Sequence, residues 1–362
     1  MHFLIVFSLF FLTFFTSIQS LASEKVNVTF VSPDEEGSYF WDVVKSINNS
    51  AKESLGIELE VYYVENDRFA QQAAINDISK RAKKPDYLIF RGFYGYTIKM
   101  FDRLEEMKIP FITLEQGFSP DDAKNIGKPQ DKYKYWLGQI IYDNKAGGEL
   151  LLDTLITEYQ KNFPNNIMKI IGIGGDYEEV SRDRQLALEK LSLSKNEKII
   201  VNQIFSMLWE PKIITERFSA MIKRYPNTNA YWCAGDQMAL TILEEHQKVS
   251  NQPLIIGGFD WTPAALKKIK TGEMTASVGG HILMVASALI KIVDYEHGID
   301  RFNAAPLINQ FELITKANVD EYLSFIENEQ WKHIDFSVFT ATGVTQPLAF
   351  TFKNMIKLTT TE

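Results

Sequence analysis

Cysteine is nearly absent. Cys233 is the single one in 362 residues, which excludes an intramolecular disulfide and a cysteine-based zinc site. Histidine is almost as scarce: His2, His246, His281, His297 and His333 are scattered with no H-x-x-x-H pair, so no metal ligand set is evident. Basic charge is in deficit, with 38 Lys plus Arg against 46 Asp plus Glu and a net charge of -8, which argues against a polyanion such as nucleic acid or an anionic membrane as the main partner. The basic run Lys80 to Lys84 sits at an expected helix end and reads as a solvated face. Phosphate and nucleophile signatures are missing too. Gly172-Ile173-Gly174-Gly175 follows a strand but lacks the third glycine of a dinucleotide loop, and neither G-x-x-x-x-G-K-[ST] nor G-x-S-x-G occurs. Beyond the run Phe3 to Phe15 no apolar stretch approaches the ~20 residues that span a bilayer.

That run carries the first positive signal. Ser20-Leu21-Ala22 supplies small residues at the positions a signal peptidase reads, so residues 1–22 are expected to be a cleaved export signal, with cleavage near Ala22, although the extreme N-terminus lacks Lys and Arg. A periplasmic, soluble chain follows from that reading. Its 45% apolar residues can build a sizeable core, and 362 residues exceed the ~250 to 300 at which single cores stop growing, so two lobes are expected.

From Val26 onward short β-rich runs alternate with longer amphipathic stretches, the pattern of βα units and a parallel sheet. Strands are expected at 26–32, 57–64, 87–90, 111–115 and 137–141, then in a second series at 168–174, 199–205, 229–234, 254–260 and 275–279. Helical patterns cover 39–55, 69–81, 179–193, 211–224, 236–247 and 263–271. The fold class is therefore α/β with two doubly wound parallel-sheet lobes. A final piece, Ile308 to Thr315, precedes a helical pattern at 318–327 and an irregular aromatic tail. Gly117 to Tyr133, holding Pro120, Pro129 and several charges, is expected to be a mobile surface loop.

In doubly wound sheets ligands bind beyond the carboxyl ends of the strands. The residues there are Ser38, Phe40 and Trp41 after the first strand, Glu115 and Gln116 after the fourth, and Tyr142 after the fifth. The second series adds Arg184, Trp209, Gly235, Asp236, Asp260, Gly280 and His281. Aromatic faces, carboxylates, an arginine and amides are the equipment a polyol requires, since rings stack on C–H faces and planar polar groups pair with hydroxyls. Each has a blander reading: Phe40 and Trp41 as core, Asp143 and Asp236 as helix caps, Arg184 as the partner of a helix carboxylate. A secreted glycosidase using two carboxylates is the enzyme-class alternative.

Phe40-Trp41 ahead of a helix, Ile109-Pro110-Phe111-Ile112-Thr113, Asp143-Asn144 with Gly147-Gly148, Ser181-Arg182-Asp183-Arg184, Gly235-Asp236-Gln237-Met238-Ala239 and Gly258-Phe259-Asp260 resemble the type 1 periplasmic binding proteins of the ribose, galactose and autoinducer-2 branch. The resemblance implies a non-enzymatic, cofactor-free and metal-free monomer that holds a sugar or polyol between two lobes joined by a three-segment hinge. It implies stacking by Phe40, Trp41 and Trp209, donation by Arg184 and acceptance by Asp260. Glu115-Gln116, Gly235 and Gly280 stand where the family often carries Asp-Arg, Asn and Gln. Crossings are implied near Tyr142, Gly280 and Pro306, giving a first lobe of 24–142 plus 281–306, a second of 143–280 plus 307–345, and a tail of 346–362. The implied partner is the permease of an ABC transporter. The alternative is a membrane sensor kinase, chemoreceptor or diguanylate cyclase, for which the 117–133 loop and the tail would offer surface.

Overall fold

Residues 25–33, 39–93, 95–194 and 196–360 are described by the computed structural model; the expected signal peptide and Ser38 lie outside them. The first series runs β1 (Val26–Ser32), α1 (Tyr39–Leu55), β2 (Ile57–Tyr63), α2 (Arg68–Lys80), β3 (Tyr87–Arg91), α3 (Thr97–Met107), β4 (Phe111–Glu115), α4 (Pro120–Ile126) and β5 (Trp136–Tyr142). The second runs α5 (Asn144–Asn162), β6 (Met168–Gly174), α6 (Glu179–Leu193), β7 (Ile199–Ser206), α7 (Pro211–Arg224), β8 (Ala230–Cys233), α8 (Asp236–Val249), β9 (Ile255–Phe259), α9 (Pro263–Thr271) and β10 (Ala276–Gly279). Then come α10 (Met284–Glu296), β11 (Pro306–Asn309), β12 (Glu312–Thr315), α11 (Val319–Glu327) and α12 (Phe352–Thr360).

Two six-stranded sheets form, ordered β11-β5-β4-β3-β1-β2 and β12-β10-β9-β8-β6-β7. Central strands such as β3, β8 and β9 are buried throughout, so they read as unbroken apolar runs. At the edge, β2 alternates: Glu58 and Glu60 are exposed and pair with Lys25 and Arg81. Among the described residues all strand pairs are parallel except β10 with β12. The order reverses between β1 and β3 in one sheet and between β6 and β8 in the other, which places a crevice at the carboxyl ends of those strands.

The chain passes between sheets at Tyr142–Asn144, around Gly280, and between Asn309 and Glu312. The last crossing corrects the expectation near Pro306: Pro306–Asn309 pairs with β5 in the first sheet, and only Glu312–Thr315 joins the second. The piece 308–315 is thus two strands in two sheets. Gly117 to Tyr133 differs as well. Ser119 caps α4 by accepting from Asp122, Pro120 fills the first turn, and Phe118 packs on Phe101 and Trp136. Ile126 and Tyr133 are buried, so the segment is a packed helix and turn.

The tail is more ordered than its composition suggests, and it touches both lobes. Helix α11 lies on α9, whereas the 3₁₀ turns 330–333 and 336–339 lie on α1. Trp331 Nε1 donates to Ser46 Oγ at 3.0 Å, the Phe336 N–H donates to Ser54 Oγ at 3.0 Å, and the Ala341 N–H donates to Asp294 of α10 at 2.6 Å. Helix α12 then returns Phe352 to Trp261, Tyr322 and Phe325. Residues expected in the second lobe therefore clasp the first.

Candidate ligand-binding site

On the second-lobe face, α6 carries Arg184 at 3% exposure. A buried guanidinium is tolerable only if its donors are satisfied. Nε donates to Asn144 Oδ1 at 3.0 Å and Nη1 to the Ala234 carbonyl at 2.7 Å; Nη1 also lies 3.7 Å from Asp260 Oδ1. The plane rests on Phe259, 4.4 Å from its ring centre, with Phe311 at 5.6 Å and Trp209 at 5.9 Å. Helix α5 approaches α6 so closely that a Cβ on Gly148 would stand 1.8 Å from the Arg184 carbonyl, which explains a glycine there. Burial lowers the Arg184 pKa, and Asp260 foremost opposes the shift.

Asp260 Oδ1 is 3.2 Å from His281 Nε2. Burial lowers the His281 pKa despite this carboxylate, which favours the neutral ring; Nε2 lies between Asp260 Oδ1 and Arg184 Nη2, the latter 3.5 Å away, and buried Nδ1 has no hydrogen-bond partner. Asp260 and Trp261 both take left-handed backbone (φ 104° and 58°), which turns Asp260 toward Arg184 and tucks Trp261 against Gly279, where a Cβ would be 2.5 Å from the indole. Leu208 and Trp209 make a similar left-handed turn (φ 55° and 63°) that lays the Trp209 indole over Gly175. Gly235 sits between them: a Cβ there would be 3.2 Å from Asp260 and 3.8 Å from Trp209.

Asp236, expected as a cap or ligand contact, is neither. It is fully buried and accepts from Ser277 Oγ at 2.8 and 3.0 Å, from the Thr262 N–H at 2.9 Å and from Thr262 Oγ at 3.3 Å, while Gly235 occupies the cap position. Burial raises its pKa well above the usual carboxylate range. Its part is to tie α8, α9 and β10 together beneath the cleft. Trp41 is likewise a core residue, 9% exposed and packed on Phe30.

Across the cleft, Phe40 stacks on His281 with ring centres 4.7 Å apart, and Tyr142 donates to the Gly280 carbonyl at 2.9 Å. Glu115 has left-handed backbone (φ 66°) and lies 3.6 Å from Arg91. Buried Gln116 donates to Glu178 of the other lobe at 2.8 Å, and the Gly117 backbone abuts the Glu179 carboxylate, so the two faces are in contact. Among the described residues, Ser32 Oγ, Arg91 Nε, Glu115 Oε2 and Gln116 Oε1 are buried without a hydrogen-bond partner on this face. Arg91, Asn144, Glu178 and Phe311 were absent from the expected site residues. Arg91 carries a signal of its own, since the expected third strand stops at Phe90 and the next residue stands where ligands bind.

The periplasmic binding protein domain family matches the chain over residues 28–296. The D-allose-binding periplasmic protein of Escherichia coli is 24% identical over 266 residues, covering 70% of this chain and 79% of its own. A ribose import binding protein of Haemophilus influenzae is 22% identical over 280 residues, with 77% and 88% covered. A periplasmic sugar-binding protein from Pseudomonas fluorescens superposes with a TM-score of 0.78 at 19% identity, covering 89% of this chain and 96% of its own. A solute-binding protein of an ABC transporter from Actinobacillus succinogenes, solved with D-allose, gives 0.70 at 19% identity, covering 82% and 100%. With two doubly wound lobes meeting over a cleft, and a match across most of its length, the chain belongs to the periplasmic binding protein domain family.

Proposed function

We propose that the protein captures one neutral sugar or polyol between its lobes, in the periplasm, and presents it to the permease of an ABC importer. The observation that carries this reading is the cleft's charge balance around buried, unpartnered groups. Two arginines, Arg91 and Arg184, face two carboxylates, Glu115 and Asp260, beside a neutral His281. Each arginine has a carboxylate beside it, so neither is left as an uncompensated positive charge for an anionic ligand to neutralise. The set offers hydroxyls both donors and acceptors, and Phe40 and Trp209 supply rings at its margins. The relatives named for allose and ribose support the ligand class.

Calorimetry on the exported chain with D-allose, D-ribose, L-arabinose, D-galactose and myo-inositol tests the reading. Saturable one-to-one binding by at least one of them is expected; no heat and no thermal stabilisation with any would overturn it. Turnover of a glycoside in the same samples would favour the hydrolase alternative. The sensor alternative drew on the 117–133 segment and the tail as spare surface. Both pack on the lobes at their inner side, with Phe350 against Phe336 and Phe339, and keep an exposed outer side.

A further inference from the structure

We propose that Arg91, with Glu115, is the specificity-determining pair of the first lobe, reading adjacent hydroxyls of the ligand from the strand next to the one where such a pair was expected. The inference rests on the sugar-binding reading above and adds the residue that selects among sugars.

Arg91 is the last residue of β3, at the point where the strand order of the first sheet reverses. The ladder pairs Val31 with Phe90 and Arg91 with Leu114, so Ser32 and Glu115 are the neighbours at the same carboxyl edge. Arg91 is 9% exposed, and its surroundings hold it in place. The guanidinium lies over Phe93 at 4.5 Å, Nη2 donates to Asn66 Oδ1, and Nη1 is 3.6 Å from Glu115 Oε2. Gln71 of α2 fixes the backbone beneath by donating to the Arg91 carbonyl at 2.8 Å. Nε remains without a hydrogen-bond partner, as do Glu115 Oε2, whose contact with Arg91 is an ion pair only, and Ser32 Oγ. Glu115 in turn is close enough to the opposite face for its charge to act on both Arg184 and His281.

A fixed donor beside a fixed acceptor matches two neighbouring hydroxyls, one accepting from Arg91 and one donating to Glu115. A sugar lacking either hydroxyl leaves a buried group unpaired, which is the kind of loss that separates close analogues most strongly.

The test takes the tightest-binding sugar of the panel, with its monodeoxy analogues, against wild type and the Arg91→Gln, Arg91→Lys and Glu115→Gln variants, reading affinity by calorimetry and folding by thermal midpoint. Arg91→Gln should weaken the parent sugar by about 10- to 100-fold. It should also remove discrimination at one ring position, where wild type and variant bind the deoxy analogue alike. Arg91→Lys should not restore the parent affinity, because an ammonium cannot reproduce the planar fork. Wild-type affinity in Arg91→Gln, or an equal loss for every deoxy analogue, would overturn the proposal, the latter by giving Arg91 a structural role only. Should Arg91→Gln lower the thermal midpoint, the analogue comparison is read in Arg91→Lys and Glu115→Gln, and discrimination unchanged in both would overturn it. A wild type that binds no sugar in the panel would overturn the sugar reading and this inference together, whereas binding by wild type isolates the failure to Arg91.

Discussion

The two faces of the cleft are built to different standards. On the second lobe, Arg184 draws its partners from α5, the end of β8 and the turn after β9, and Asp236 is locked by three hydrogen-bonding groups from below. On the first lobe, Arg91, Glu115, Gln116 and Ser32 keep buried atoms without hydrogen-bond partners, compared with Glu179 Oε2 among the described residues of the second. A preorganised face loses little freedom on binding and can supply most of the affinity, whereas a face with open donors and acceptors penalises any ligand that fails to fill them. The second lobe therefore anchors, and the first lobe selects.

The strongest way to break that division is at its anchor. Arg184→Ala would leave Asn144 Oδ1 and the Ala234 carbonyl unpaired in a buried site and Asp260 with His281 alone, a loss of about 3 kcal/mol or more in binding. Sugar affinity should fall more than 100-fold, at about 1.4 kcal/mol per tenfold step, and the thermal midpoint should fall with it. Affinity within threefold of wild type by calorimetry would move the anchor to the first lobe. Trp209→Ala comes next. The indole bridges Gly175, Gly235 and Arg184, so its removal takes away an apolar wall but leaves the charge network standing. A loss of about 1–3 kcal/mol is expected, with selectivity among sugars intact. A change in selectivity larger than the change in affinity would assign reading, not anchoring, to this side.

How much of this was legible from sequence follows from which interactions are local. Parallel strands buried on both faces announce themselves as short apolar runs, so the βα alternation and the two lobes could be read. The crossing between Asn309 and Glu312 could not, because Leu307-Ile308, Phe311 and Leu313-Ile314 follow one another closely enough to read as a single strand-like piece, and nothing in it says that its two ends join different sheets. Helix α4 was readable and was obscured by its composition: Ser119 then Pro120, with Asp121 and Asp122 in the first turn, is an N-terminal signal, yet prolines and charges also mark loops. In the site, residue types after strands were informative and their directions were not. Asp236 and Asp260 both follow strands of one sheet, and only the left-handed turn at Asp260 sends its carboxylate into the cleft while Asp236 points beneath. Arg91 is set by its ladder neighbours, which are distant in sequence. The tail's grip on α1 depends on hydroxyls of Ser46 and Ser54 roughly a whole chain away, and no local pattern carries that.

The smallest expected effect lies where the two faces touch. Glu179 opens α6 on the second lobe, yet its carboxylate is pressed against the Gly117 backbone of the first, and burial, helped by Asp183, raises its pKa from 4.5 to about 7. The Gly117 N–H, Lys145 and Arg182 pull the other way and are outweighed. Parting the lobes would return this group to water and its pKa toward 4.5, so closure takes up a proton between those two values. A raised carboxyl pKa stabilises the closed form fully at low pH, and that advantage is lost as pH rises through about 7. Sugar affinity should accordingly weaken as pH rises from about 4.5 to about 7, the window over which the linkage acts. Glu179→Gln removes the titration while keeping the shape, and should flatten most of that slope. An unchanged slope in Glu179→Gln would show that the contact between Glu179 and Gly117 is not remade each time the lobes close, and the anchoring face would then have to be regarded as rigid up to its rim.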